Sequence, residues 1–307
     1  MPAVRQPRVV LAYSTAALAL SAQWIAAKIG LGAAPPLELS TMRFAIASVV
    51  LVALALATRT RLPLRRWRAV TAAAVFGFLG FNSLAFLGLQ LTPASDSALI
   101  IPTTIPVATA IFATFIHERL TSRKLLGFAV ATLGATIVIA GGQQGAAEIS
   151  TTRLLGNLLE LASAVSWAAC LTISALVLRS ESILGFVTMA SLLGTAMLFP
   201  LGFLEHGYRD VPSWGAQAWL AAAVLGVFST VVAFLIFFWA VRRFGAGLAA
   251  MVSYLVPIAA LTLAFVVLGE RPLPLQLVGA FVIVLGVRLA ARPAAARDLA
   301  FGTHGVG

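Results

Sequence analysis

The chain has 307 residues, 61% of them apolar and 10% charged, with a mean hydropathy of +1.01 and a formal net charge of +11. These values exclude a soluble globular domain and a polar, disordered chain. The excess of 21 Lys and Arg over 10 Asp and Glu is scattered along the sequence and forms no single basic patch, so it does not point to nucleic acid.

Crossing the ~30 Å hydrocarbon layer takes roughly 20 apolar residues in a helix, whose backbone satisfies its own hydrogen bonds. The charge-poor stretches, in chain order, are 9–27, 37–58, 69–91, 97–116 and 124–141, then 153–178, 182–204, 215–241, 245–268 and 274–291. They predict an all-α polytopic membrane protein with ten transmembrane helices, five in each half. The first stretch runs on to Lys28 without a small-residue cleavage site, so a removable signal peptide is not expected.

The two halves are related. From Glu118 to Gly134, seven of seventeen positions are identical at an offset of 152, including Glu118/Glu270, Arg119/Arg271, Gly127/Gly279 and Gly134/Gly286. Pro106 and Pro257 match at an offset of 151, and Gly77 and Gly226 at 149. This is a tandem duplication, with a first repeat at 1–147 and a second at 148–307.

Lys and Arg in short loops stay on the cytoplasmic side. With the N-terminus inside, 16 basic residues fall on the inner side and five (Lys28, Arg43, Arg153, Arg209 and Arg271) on the outer side. Both termini are therefore expected in the cytoplasm. An odd number of spans per repeat makes the second copy enter from the opposite face, so the repeats are inverted. Such folds hold substrate near the midplane between the halves and expose it alternately to each side.

The segment LGERPLPLQLVGAFVIVLG from Leu268, its partner HERLTSRKLLGFAVATLG from His117, and the paired AAVFGFLGFNSLAFLGLQL and AAVLGVFSTVVAFLIFFWA resemble the drug/metabolite transporter superfamily, particularly its EamA-type members. Arg43 in LSTMRFAIA sits where that family commonly has an arginine. The resemblance covers nearly the whole chain. It implies a ten-helix carrier similar to bacterial amino-acid and metabolite exporters, including the YddG type that exports aromatic and other neutral amino acids.

Helical spacing nominates the candidate site residues, because positions three or four apart share a face. Glu160, Ser163, Trp167, Cys170 and Ser174 form one stripe on the sixth span, which serves either as a cavity wall or as a packing seam. A carboxylate within a span is costly, and Glu160 marks this face as functional. Gln23 and Trp24 hold the corresponding place on the first span, where Trp24 is a cavity wall or part of the outer aromatic belt. Phe78, Asn82 and Phe86 share a face of the third span, and the Asn82 amide needs substrate or a neighbouring helix as partner. Thr103, Ser253 and Tyr254 complete the substrate-binding set.

Pro102, Pro106 and Pro257 each remove an amide donor and predict symmetric bends, acting as hinges or as static kinks. Arg43 is expected to snorkel towards the outer surface or to pair with Glu160 or Glu38, a structural or gating ion pair being preferred to a clamp on a substrate carboxylate. Glu160 is the deep candidate for proton coupling, with Asp96 near the outer mouth; without titration there the carrier is a facilitator. The glycines repeating by seven in the fifth and tenth spans are expected to pack helices and not to line the path.

No zinc-ligand spacing, Walker loop or protease constellation is present, so neither an enzyme nor a cofactor or metal is expected, and no ATPase subunit is implied. The expected partners are a small-molecule substrate and the lipid bilayer, with the chain a monomer or homo-oligomer. Arginine outnumbers lysine 19 to 2, a composition suggesting a GC-rich bacterium and its cytoplasmic membrane. A pocket of Trp, Phe and Tyr with few fixed charges suits neutral or aromatic amino acids and related small metabolites, most naturally exported; the alternative is a proton-coupled or exchange-type efflux carrier for drugs or other hydrophobic compounds.

Overall fold

The computed structural model describes residues 23, 26–27, 29–92, 94–116, 121–142, 150–259, 262 and 273–291. Trp24, Glu118, Arg119, Glu270, Arg271 and the side chain of Asp96 lie outside the described residues. Every regular element among those described is helical: α1 (Pro36–Ala57), α2 (Leu64–Leu91), α3 (Ala94–Phe115), α4 (Ser122–Gly142), α5 (Thr151–Val177), α6 (Ile183–Gly202), α7 (Ala216–Phe244), α8 (Ala246–Ala250) and α9 (Pro274–Ala291).

Five of these, α1, α2, α5, α6 and α7, are long and apolar enough to cross a membrane, and shorter apolar stretches occur at Ile100–Phe115 and Pro274–Ala290. Large apolar side chains such as Val49, Leu56, Phe115 and Phe281 stand exposed on the outer faces. In water such a surface would be a liability; against lipid tails it is the expected exterior.

Local sequence sets the helix ends. Ser150 and Ser182 cap α5 and α6 by accepting from the amides of Arg153 (3.1 Å) and Gly185 (3.0 Å). Pro36 opens α1, where its missing N–H costs nothing. The cap of α1 comes from far along the chain. Glu205 accepts from the amides of Leu37 and Glu38 at 3.0–3.1 Å, and Glu38 in return accepts from the amides of His206 and Tyr208 at 3.1 and 3.0 Å. Burial pushes the Glu205 carboxyl up from its ordinary range, against the pull of the Leu37 and Glu38 donors. Gly245 ends α7 at φ +86°, a left-handed backbone that favours glycine.

Helices α1 and α6 pack along each other, as do α4 and α9, while α5 is flanked by α2 and α3. The α4–α9 seam is built on glycine. A Cβ on Gly134 would lie 2.5 Å from the Ile283 amide nitrogen, and one on Gly286 would collide with the amide of Ala131. Because Gly134/Gly286 and Ala131/Ile283 correspond at the repeat offset of 152, the two contacts are symmetric halves of one pairing.

The spans depart from uninterrupted α-helix in two places. Residues Val75–Gly80 of α2 and Val224–Val232 of α7 are π-helical, at the same offset of 149 that relates Gly77 to Gly226. The expected symmetric proline bends are not symmetric in form. α3 continues as α-helix through Pro102 and Pro106, whereas Met251–Tyr254, just before Pro257, is a 3-10 turn after α8. Pro257 has no amide to offer the carbonyl of Ser253, and the chain tightens one turn earlier.

Candidate functional site: an aromatic cavity above a buried arginine

A cavity of about 40 Å³, space for a few waters, is lined by Gln23, Phe81, Ile101, Pro102, Ile105, Trp167, Phe234, Phe237, Ser253 and Val256. Those residues come from the segment containing Gln23, α2, α3, α5, α7 and the region after α8, all but α7 carrying residues nominated from the sequence. Among the described residues, α4 and α9 contribute none of the lining.

Trp167 organises the cavity. Its ring lies 5.0 Å from that of Phe81, 5.2 Å from Phe234, 6.0 Å from Phe237 and 6.2 Å from Phe238, all tilted. Such offset geometries are favoured by the ring quadrupoles and fix the wall's shape. Phe234 continues to Phe78 at 5.6 Å and Phe78 to Phe44 at 5.3 Å, so one aromatic chain links α5, α7, α2 and α1. Gly77 makes room for Cys170, one turn along α5 from Trp167: a Cβ there would collide with Cys170, while meeting the indole at an ordinary 3.4 Å.

At the end of that chain Arg43 is fully buried. Its Nε donates to Thr230 Oγ1 (2.8 Å), one terminal nitrogen to Asn82 Oδ1 (2.9 Å) and the other to Gln23 Oε1 (2.9 Å). The guanidinium carbon stands 5.1 Å from the Phe44 ring and 5.8 Å from that of Phe234. Of its partners, Thr230 lies within the π segment of α7 and Asn82 two residues past that of α2. Asn82 Nδ2 donates to the carbonyls of Gly77 (3.0 Å) and Phe78 (3.2 Å), and Thr230 Oγ1 donates to that of Leu225 (3.0 Å). Each side chain thus satisfies a carbonyl five residues back, as the wider π turn requires, while its oxygen holds the arginine.

Of the residues nominated from sequence, Gln23, Pro102, Trp167 and Ser253 line the cavity. Phe78 and Phe86 are buried in the packing between helices and do not reach it, because Phe78 turns onto Phe44 and Phe234 and under Gly194. Asn82 is taken by Arg43 and by its own helix. Thr103 donates to Ile100 O and Ser163 to Glu160 O, so both hydroxyls turn back onto their own helices. Tyr254 faces α4, with its hydroxyl 2.7 Å from Thr132 Oγ1 and donating to Phe128 O at 3.3 Å. Pro106 and Pro257 are not among the cavity-lining residues.

The expected pairing of Arg43 with Glu160 or Glu38 is corrected. Glu38 is held by the loop after α6, and Glu160 accepts from Ser97 Oγ at 2.6 Å, with its second oxygen unpartnered. Glu160 packs instead against Gly88, where a Cβ would stand 3.0 Å from its Cγ. Gly88 is six residues beyond Asn82 on α2, about 9 Å of helix rise, so acid and arginine sit at different depths.

Sequence reasoning missed Phe81, Phe234, Phe237 and Thr230. The spacing of Phe234, Phe237 and Phe238 was a usable signal, but α7 is apolar on every face and gives no contrast.

The EamA-like transporter family matches the chain twice, over residues 8–140 and 154–292. The uncharacterized transporter YoaV of Bacillus subtilis is 24% identical over 285 residues, covering 91% of this chain and 95% of YoaV. A probable terminal-alkyne amino-acid exporter of Streptantibioticus cattleyicolor is 30% identical over 284 residues, covering 91% and 92%. A solved structure titled "Crystal structure of protein" superposes with a TM-score of 0.77 at 24% identity, covering 93% of this chain and 97% of that one. The chain belongs to the EamA-like transporter family and is a multi-pass membrane transporter, not an enzyme.

Proposed function

We propose that this protein is a secondary transporter that exports neutral or aromatic amino acids and related small metabolites across the bacterial cytoplasmic membrane, by alternating access through the Trp167 cavity. The observation that carries the reading is the cavity itself: four aromatic rings and four aliphatic side chains, with the Gln23 amide and Ser253 hydroxyl as polar points, contributed by six segments from both halves of the chain. A neutral zwitterion with an apolar side chain fits that balance. The S. cattleyicolor relative, a probable amino-acid exporter, supports the substrate class.

At about 40 Å³ the cavity is far below the ~300 Å³ or more of a ligand pocket, so transport needs it to widen. The proposed architecture is ten helices in two inverted repeats, 1–147 and 148–307, with both termini in the cytoplasm. The reciprocal Gly134–Ile283 and Gly286–Ala131 contacts support a twofold relation, and the loop charges support the orientation. Pro102 on the cavity wall and the 3-10 turn before Pro257 are the hinges on the two sides, and Glu160 is the acid for any proton coupling.

Uptake of labelled neutral amino acids into proteoliposomes, with and without a proton gradient, tests this reading. Saturable amino-acid flux is expected. Flux of hydrophobic drugs alone would replace the reading with the efflux alternative, and flux indifferent to the gradient and to Glu160→Gln would make the carrier a facilitator.

A further inference from the structure

Arg43 is fully buried and makes no ion pair among the described residues: its three acceptors, Thr230, Asn82 and Gln23, are all neutral. A guanidinium taken out of water without a counter-ion is costly, and neutral oxygens recover only part of its lost hydration. The two fully buried carboxylates among the described residues do not supply the charge, since Glu38 is bound at the end of α1 and Glu160 faces Ser97 and Gly88.

The guanidinium carries five N–H groups. Among the described residues three are engaged, one on Nε and one on each terminal nitrogen, and the two terminal nitrogens are the pair that a carboxylate's two oxygens match. The plane of the group is already set by three segments and by the Phe44 and Phe234 rings. Two of its contacts, Gln23 and Phe234, are also walls of the cavity, so the cation stands directly behind that wall with the Gln23 amide as its cover.

We propose that Arg43 is the carboxylate-binding residue of this carrier. As the cavity opens, the Gln23 amide leaves the terminal nitrogen and the substrate's carboxylate takes its place as counter-ion, with the substrate's apolar side chain against Trp167 and Phe237. The inference rests on the amino-acid reading above and deepens it: the preferred ligand presents a carboxylate, and an amine or amide with the same side chain binds more weakly.

The test uses the full chain in proteoliposomes taking up labelled phenylalanine, with unlabelled phenylalanine and phenylalaninamide as competitors. In the wild type the amide is expected to compete at least roughly tenfold more weakly, the scale of losing charge-assisted hydrogen bonds. Gln23→Glu gives Arg43 a built-in counter-ion, and should raise the half-saturation for phenylalanine by about tenfold or more while weakening inhibition by the amide by much less. A structural role for Arg43 predicts equal shifts for both compounds. Equal competition in the wild type, or equal shifts in the variant, overturns the proposal, and the wild-type comparison decides alone if Gln23→Glu does not fold. Absence of any labelled amino-acid uptake is a different failure, which brings down the amino-acid reading and this site with it.

Discussion

The α4–α9 seam and the centre around Trp167 are both buried helix contacts, made in opposite ways. At the seam, glycine lets backbone meet backbone, and the gain is close packing. At the centre, bulky rings surround a small void and a buried cation is held by side chains from three segments. Without a strong hydrophobic force between helices in lipid, the first arrangement holds the fold together. The second gives up stability to polar burial and incomplete filling, which is where a moving part and a ligand have room.

Gly134→Leu should break the seam outright. With the Ile283 amide 2.5 Å from a Cβ, overpacking of roughly 3 kcal/mol or more is expected, read as loss of the monodisperse peak in detergent chromatography. Wild-type yield would mean that the helices slide apart at little cost. Asn82→Ala strands one Arg43 donor and the Gly77 and Phe78 carbonyls, and should lower stability by about 3 kcal/mol in thermal unfolding.

Trp167→Phe sharpens the contrast, since it keeps an aromatic wall while changing the cavity. We expect melting within a few degrees of wild type and a drop in transport efficiency of roughly tenfold, about 1.4 kcal/mol; unchanged flux would detach the cavity from transport. Glu205→Ala removes the cap on α1 and should cost about 1 kcal/mol. Because the folded-state value of Glu205 is raised, its stabilising contribution is present on the acid side and lost as pH rises through that value. The deficit of the alanine variant should therefore be larger under acid than at neutral pH.

Periodicity decided how much of this was legible in the sequence. Trp167 stood out because Glu160, Ser163, Cys170 and Ser174 mark its face by polarity, and the seven-residue glycine repeat announced a seam. Contacts between distant segments leave no such trace. Nothing in spacing joins Arg43 to Thr230, or Glu205 to an amide 168 residues earlier. The π segments were equally hidden, because their side chains read as ordinary apolar helix, yet Thr230 within one and Asn82 just past the other both hold the arginine. Ser163 and Thr103 looked like cavity polarity but donate to their own helices, the usual resolution for a hydroxyl in an apolar setting.

If the Trp167 cavity is the substrate's place, a ligand inside it must shield Ser253 on its wall. A single thiol introduced as Ser253→Cys, with the buried Cys170 changed to Ala, measures this directly through the rate of modification by a water-soluble maleimide in proteoliposomes. Modification is expected to slow several-fold with saturating phenylalanine and to lose that protection when Trp167→Ala is added. A rate indifferent to every transported compound, in a variant that still transports, would contradict a substrate site in this cavity.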